Sequence, residues 1–310
     1  YLLRSFGTTA HEVWDVTVPE KPVIVSTPVR GLRDTHKNFW ECDTGIAYLV
    51  SGPKGWRSRR ILQVFDLSDP ARPVHIRDYG LVGQEPGARN PLPDNQYQVH
   101  GAISTGVKRN RIYVGYGTVS NGILQILDRD KLVHGPKEPT EQNLLAAQVS
   151  IMYTSPHMGA HTTLPMLGME IPDQSPNNRV VKRDFVALTN ESTSNECLEP
   201  RQMTYFVDIT DEKKPVPVSS YQVEGVNGKG FGPNTGCHQP VEEIISNEVP
   251  CAWFAQGLRI IDISNPQRMS EAAYYLPDPA PGQKRVCSND VFQDKRGLIY
   301  LMDRWQGLHI

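Results

Sequence analysis

The 310-residue sequence lacks several features that decide function early. No apolar run approaches the roughly 18 residues that a membrane-crossing helix requires, so the chain does not read as membrane-spanning. Charge of one sign is missing as well. With 32 basic residues against 34 acidic ones and a formal net charge of -2, no broad basic face is on offer, and nucleic acid is not expected as a partner. Cysteine is scarce and unpatterned: Cys42, Cys197, Cys237, Cys251 and Cys287 form no CxxC pair. That excludes a zinc knuckle or a thioredoxin-type motif and leaves at least one thiol unpaired. Nucleophile elbow, Walker loop, HExxH and dinucleotide fingerprint are all absent. The glycine-rich stretch 228–232 is followed by no helical pattern, so it reads as a loop and not as a phosphate cradle. The chain opens at Tyr1 without an initiator Met or a leader-like segment, which reads as a processed or truncated start.

Glycine and proline are plentiful at 25 each, favouring many turns and little helix. One sentence recurs through the chain: an apolar-Asp-apolar-Ser/Thr step followed by a proline-bearing turn. Its copies are Val13-Trp14-Asp15-Val16-Thr17, Val64-Phe65-Asp66-Leu67-Ser68-Asp69-Pro70, Phe206-Val207-Asp208-Ile209-Thr210 and Ile260-Ile261-Asp262-Ile263-Ser264-Asn265-Pro266. Gln125-Ile126-Leu127-Asp128 is a weaker copy without the Ser/Thr and the proline, and Gln306-Gly307-Leu308-His309-Ile310 repeats Gln256-Gly257-Leu258-Arg259-Ile260. The Asp residues read as structural, because a short carboxylate after a strand accepts from the free N–H groups of the next turn. The prolines suit edge positions. Unequal spacing between copies implies inserted loops, at 83–98, 138–148, 166–182, 190–202 and 224–236. The second of these predicts a short helix capped by Thr140.

Ahead of each Asp step lie further short strand-like runs, among them Gly45–Val50, Arg111–Gly115, Asp184–Leu188, Ala252–Ala255 and Leu298–Leu301. Their length and alternation suit strands. The expected architecture is all-β: a single β-propeller domain over 1–310, made of four-stranded blades. Six units are visible, the first lacking its opening strand and the last its closing one, so six or seven blades fit. The Asp-Ile-Ser-Asn-Pro and Asp-Leu-Ser-Asp-Pro copies resemble the LVIVD-repeat family of β-propellers. That resemblance implies the fold and an extracytoplasmic, periplasmic or secreted location; it implies no single chemistry.

The repeat reveals a register of histidines. His36, His100, His161 and His238 each precede a second-strand run, near the start of a blade's first strand, and Asn289 and Asp290 hold that place in the last unit. First strands line the channel of a propeller, so these four are expected to converge as ligands of a transition metal, with Fe or Cu ranked ahead of Zn or Mn. The arrangement is similar to that of carotenoid-cleaving oxygenases, in which four histidines hold ferrous iron. A polar channel lining is the competing reading. His157 is an alternative ligand to His161, while His11, His75, His134 and His309 fall outside the register and read as surface or strand residues.

Ser51, Tyr116, Glu191, Gln256 and Asp303 end the second strands, and Glu191 and Asp303 are the expected catalytic carboxylates, for proton transfer or support of the ligands. Arg304 and Trp305 are placed to border a substrate. Cys237 reads as a buried thiol, a partner for Cys287 or a soft ligand. The expectation is therefore a metal-dependent oxidoreductase or oxygenase acting on a small organic molecule. A metal-dependent lyase or hydrolase and a non-catalytic scaffold binding protein or glycan through its loops are the alternatives.

Overall fold

Short alternating runs broken by Gly, Pro, Asn and Asp fold as antiparallel sheets because each run buries one face and the turns fix its register. In the computed structural model, residues 1–89, 97–117, 121–156, 158–171, 182–191, 203–223 and 237–310 are described. They form six sheets. The first has three strands: β1 (Leu2–Phe6), β2 (Ala10–Asp15) and β3 (Val23–Val29). The second holds β4 (Asn38–Trp40), β5 (Ile46–Ser51), β6 (Ile61–Asp66) and β7 (Val74–Tyr79). In the third, β8 (Val99–Ser104) leads through helix α1 (Gly106–Arg109) to β9 (Arg111–Tyr116) and β10 (Ile123–Asp128). Helices α2 (Arg129–His134) and α3 (Glu141–Ala147) then precede β11 (Gln148–Tyr153).

The fourth sheet contains β12 (Ala160–Glu170), β13 (Lys182–Asn190), β14 (Thr204–Asp208) and β15 (Val216–Tyr221). The fifth contains β16 (Gln239–Pro240), β17 (Glu248–Ala252), β18 (Leu258–Asp262) and β19 (Ser270–Tyr275). The sixth has β20 (Ser288–Gln293), β21 (Ile299–Asp303) and β22 (Gly307–His309). These sheets are the blades of a β-propeller. The first blade lacks its opening strand and the last its closing one, as the repeat register predicts. Among the described residues no helix is long and apolar enough to cross a membrane.

The Asp step does what its chemistry demands. Asp15, Asp66, Asp208 and Asp262 each accept the N–H two residues on, at 2.8–2.9 Å, closing the turn after the third strand. Asp128, which lacks the Ser/Thr and the proline, instead caps α2 by accepting from the Lys131 N–H at 3.0 Å. The insertion 138–148 contains the expected helix α3, and Thr140 caps it through the Asn143 N–H.

Two expectations change. Residues 166–170 continue β12 and are not loop. The fifth blade's second strand is Glu248–Ala252, and the apolar run after it turns: Phe254 takes φ 44° and Gly257 φ 73°. A Cβ on Gly257 would sit 2.3 Å from the Tyr275 carbonyl oxygen, so only glycine fits that turn.

The chain forms two compact units, residues 1–117 with 125–151, and 118–124 with 152–310. In unit one Val13, Ala47, Leu49, Phe65 and Leu67 form a buried cluster joining the first two sheets. The Ser26 hydroxyl of β3 reaches the Pro70 carbonyl at 2.6 Å. Unit two repeats that device between its own blades, with Ser219 of β15 donating to the Pro266 carbonyl at 2.5 Å. The proline turn of the repeat is thus also where one blade fastens to the previous one.

Candidate metal centre

Unit two brings three of the expected residues together. His161 is the second residue of β12, Glu191 directly follows β13, and His238 directly precedes β16. All three are buried. The two imidazole centroids lie 4.5 Å apart. Between them stands the Glu191 carboxylate, with Oε2 3.6 Å from His161 Nε2 and Oε1 3.6 Å from His238 Nε2.

The opposite nitrogens define the protonation. His238 Nδ1 meets the Asn289 backbone carbonyl, which only accepts, so that nitrogen carries the hydrogen. His161 Nδ1 lies 2.7 Å from the Thr162 hydroxyl, which itself donates to Gln239 Oε1 at 3.2 Å and therefore accepts from the ring. Gln239 is oriented by its amide nitrogen donating to the Pro240 carbonyl. Nε2 of each ring is left facing the carboxylate, and two imidazole nitrogens with one carboxylate are a donor set that a transition metal accepts. A metal-ligating histidine characteristically has its second nitrogen hydrogen-bonded in this way.

Unit one joins the other two expected histidines. His36, whose N–H donates to the Val50 carbonyl at 3.0 Å, and His100 of β8 place Nε2 against Nε2 at 2.8 Å. Burial, with the charges of Arg60 and Lys37 adding to it, pushes the His36 pKa down to about 3, so it is a neutral donor at ordinary pH. The observed 2.8 Å is a hydrogen bond, in which one ring donates through Nε2 and the other accepts, and it holds the two imidazoles together.

Asp303, at the end of β21, is occupied by the backbone. Its oxygens accept from Cys287 N–H at 2.7 Å, Trp305 N–H at 2.9 Å and Gln306 N–H at 3.2 Å, and among the described residues no hydrogen bond joins it to a histidine. Ser51 and Tyr116 bond to Gln63 and Gln125 of the neighbouring third strands. Gln256 is fully buried, with neither amide atom partnered among the described residues. Arg304 does border the site: its guanidinium lies 5.4 Å from the Phe254 ring, which lies 4.6 Å from the His238 ring.

Cys237 is neither a ligand nor bonded to Cys287. It forms a disulfide with Cys251 of β17, the strand paired with the β16 that follows Cys237, and Cys287 remains a free, buried thiol. Of the histidines outside the register, His11 is buried on β2 and His75 is a surface partner of Asp78. His157 lies outside the described residues, as do 172–181, 192–202 and 224–236. The supporting Thr162, Gln239 and Asn289 carbonyl carried no signal of that role in the sequence, because each acts through a contact between distant segments or through the main chain.

The LVIVD-repeat family matches residues 251–276, the span of the most complete Asp-Ile-Ser-Asn-Pro copy. A comparison with curated protein sequences gives no match. Among solved structures, the chain is similar to Raptor of Chaetomium thermophilum, at 12% identity and a TM-score of 0.54 over 97% of this chain. It spans 21% of that protein's chain. It is also similar to the periplasmic gluconolactonase of Pseudomonas aeruginosa, at 10% identity and a TM-score of 0.57, covering 96% of this chain and 73% of that one. At such identities the likeness is one of fold.

Proposed function

We propose that this LVIVD-repeat β-propeller is a metal-dependent enzyme that holds a transition metal ion on His161, His238 and Glu191 and acts on a small organic substrate. The observation that carries the reading is the pair of imidazole Nε2 atoms, each 3.6 Å from one carboxylate, with both rings held through Nδ1. Two histidines and a carboxylate are the donor set of non-haem ferrous oxygenases, which favours an oxidoreductase. His36 and His100, joined by a hydrogen bond between their Nε2 atoms, are proposed as further nitrogen ligands suited to iron or copper. A bound ion would supply Lewis acidity or one-electron chemistry, and the chain's own residues orient its ligands and exclude bulk water.

Asp303 enters as a positioning residue. By accepting the Cys287 N–H it fixes the segment that leads to Asn289, whose carbonyl orients His238. Two histidines with a glutamate also serve zinc hydrolases, so a metal-dependent lyase or hydrolase is the second reading. The Cys237–Cys251 disulfide supports a periplasmic or secreted location, since such bonds persist in oxidising compartments.

Elemental analysis of protein purified without an affinity tag or chelator tests the reading. A stoichiometric transition metal, lost in the His161→Ala/His238→Ala double variant, is expected. No stoichiometric Fe, Cu, Zn or Mn, even after reconstitution, would sink the enzyme reading and leave the loop-binding scaffold.

A further inference from the structure

Arg77 of β7, in unit one, is only 1% exposed. Other arginines of this chain show how a guanidinium is satisfied here. Arg59 reaches Asp34 through Nε and Nη2 at 3.0 and 2.9 Å. Arg129 holds Glu41 through the same two nitrogens at 2.9 and 2.6 Å, and Arg296 holds Asp294 through them at 2.8 and 2.6 Å. Nε and Nη2 form the side of the guanidinium with parallel N–H bonds, the fork that fits a carboxylate or phosphate. In Arg77 both of these nitrogens are buried and have no hydrogen-bond partner among the described residues.

The surroundings do not answer that charge. The Arg77 guanidinium lies 5.5 Å from the Tyr79 ring. That stacking attracts the cation but satisfies neither N–H in the guanidinium plane. The Tyr79 hydroxyl is committed, donating to the Leu144 carbonyl at 3.0 Å and accepting from Gln125 at 3.2 Å. Burial lowers the Arg77 pKa, with Tyr79 and Glu138 acting the other way. Lys137, in the α2–α3 connection, is lowered by burial and then by the charge of Arg77, so a second cation lies near the first. Glu138 is felt electrostatically, yet among the described residues no ion pair joins it to Arg77. A buried charge without a partner is strongly unfavourable, and nature pairs it or binds an ion to it.

We propose that the buried, unpartnered Nε/Nη2 fork of Arg77 binds a small oxyanion that presents two oxygens side by side, a carboxylate or a phosphate. The site belongs to unit one and is independent of the metal reading.

Thermal unfolding of the full chain, with sodium phosphate or sodium acetate replacing chloride at constant ionic strength, tests it. The wild-type midpoint should rise with one or both anions; a response to phosphate alone or to acetate alone assigns the class. Arg77→Met should abolish the response and, in chloride alone, match or exceed the wild-type midpoint, because it removes an unpaired buried charge. Arg77→Lys keeps the charge but not the fork, so it should need at least roughly tenfold more anion for the same shift; it also answers the question if Arg77→Met does not fold. A wild-type midpoint indifferent to both anions would overturn the proposal. So would an Arg77→Met or Arg77→Lys variant that follows the wild type.

Discussion

Asn289 orients His238 through its backbone carbonyl, which takes the Nδ1 hydrogen of the imidazole, while its side-chain oxygen accepts from Arg304 Nε at 2.6 Å. One residue of the sixth blade thereby sets the tautomer of a fifth-blade histidine and the pose of the cation beside it. Nε2 of His238 is left facing Glu191, 3.6 Å from its Oε1.

Thr162 plays the matching part for His161. Thr162→Val removes the hydroxyl that takes the Nδ1 hydrogen while keeping the side chain's shape. Metal affinity should fall about 10- to 100-fold, read by chelator competition, with the circular dichroism spectrum unchanged.

Glu191→Gln should lower metal uptake sharply, because an amide oxygen is a far weaker ligand than a carboxylate. Elemental analysis read beside the circular dichroism spectrum measures the effect, and uptake equal to that of the wild type would contradict the assignment of Glu191 as a ligand.

Glu41 and Arg129 form a buried ion pair in unit one, with side chains 2% and 3% exposed. Burial opposes the Glu41 charge, but Arg129, Ser104, Thr44 and Tyr48 together outweigh it and hold the carboxyl below its ordinary value. Arg129→Met should cost about 3–5 kcal/mol in denaturant unfolding by stranding the carboxylate. A second change, Glu41→Leu, should recover much of that loss.

Acid should weaken the fold before the carboxylates titrate. Burial pushes His11 from 6.5 down to about 4, against partial offsets from the Val50 carbonyl and Asn38. Between those values the unfolded chain binds a proton that the folded chain refuses. The stability involved is therefore complete above pH 6.5 and is lost as pH falls towards 4, to a total of about 3 kcal/mol. His11→Gln should flatten that part of the profile, measured as urea midpoints at pH 7.5 and pH 5.

The Cys237–Cys251 disulfide spans a sequence separation of 14. Its reduction should lower stability by roughly 3 kcal/mol, the loop-closure entropy of a loop that size. Unfolding with and without reductant measures it, and Cys42→Ser should leave the difference unchanged.

The propeller architecture, the turn chemistry and the histidine register were legible in the sequence because each depends on neighbours in the chain, whereas the sequence left the blade count at six or seven. The Asp step needs only the N–H two residues on, and Thr140 needs only the start of its own helix. Even the departure at Asp128 has a local cause, since the same carboxylate capped a helix once the turn residues were gone. Tertiary structure decided the rest. Glu191 and His238 are separated by β14, β15 and two insertions, and no periodicity predicts that one carboxylate will stand between two imidazoles. Which cysteine met Cys237 depended on strand adjacency within the fifth blade, and the support for His238 came from a main-chain carbonyl, a group every residue carries. The sequence by itself determined which side chains were available at the first strands. Only packing determined which lone pairs, protons and charges were brought face to face, because that depends on distances between segments that the chain order does not encode.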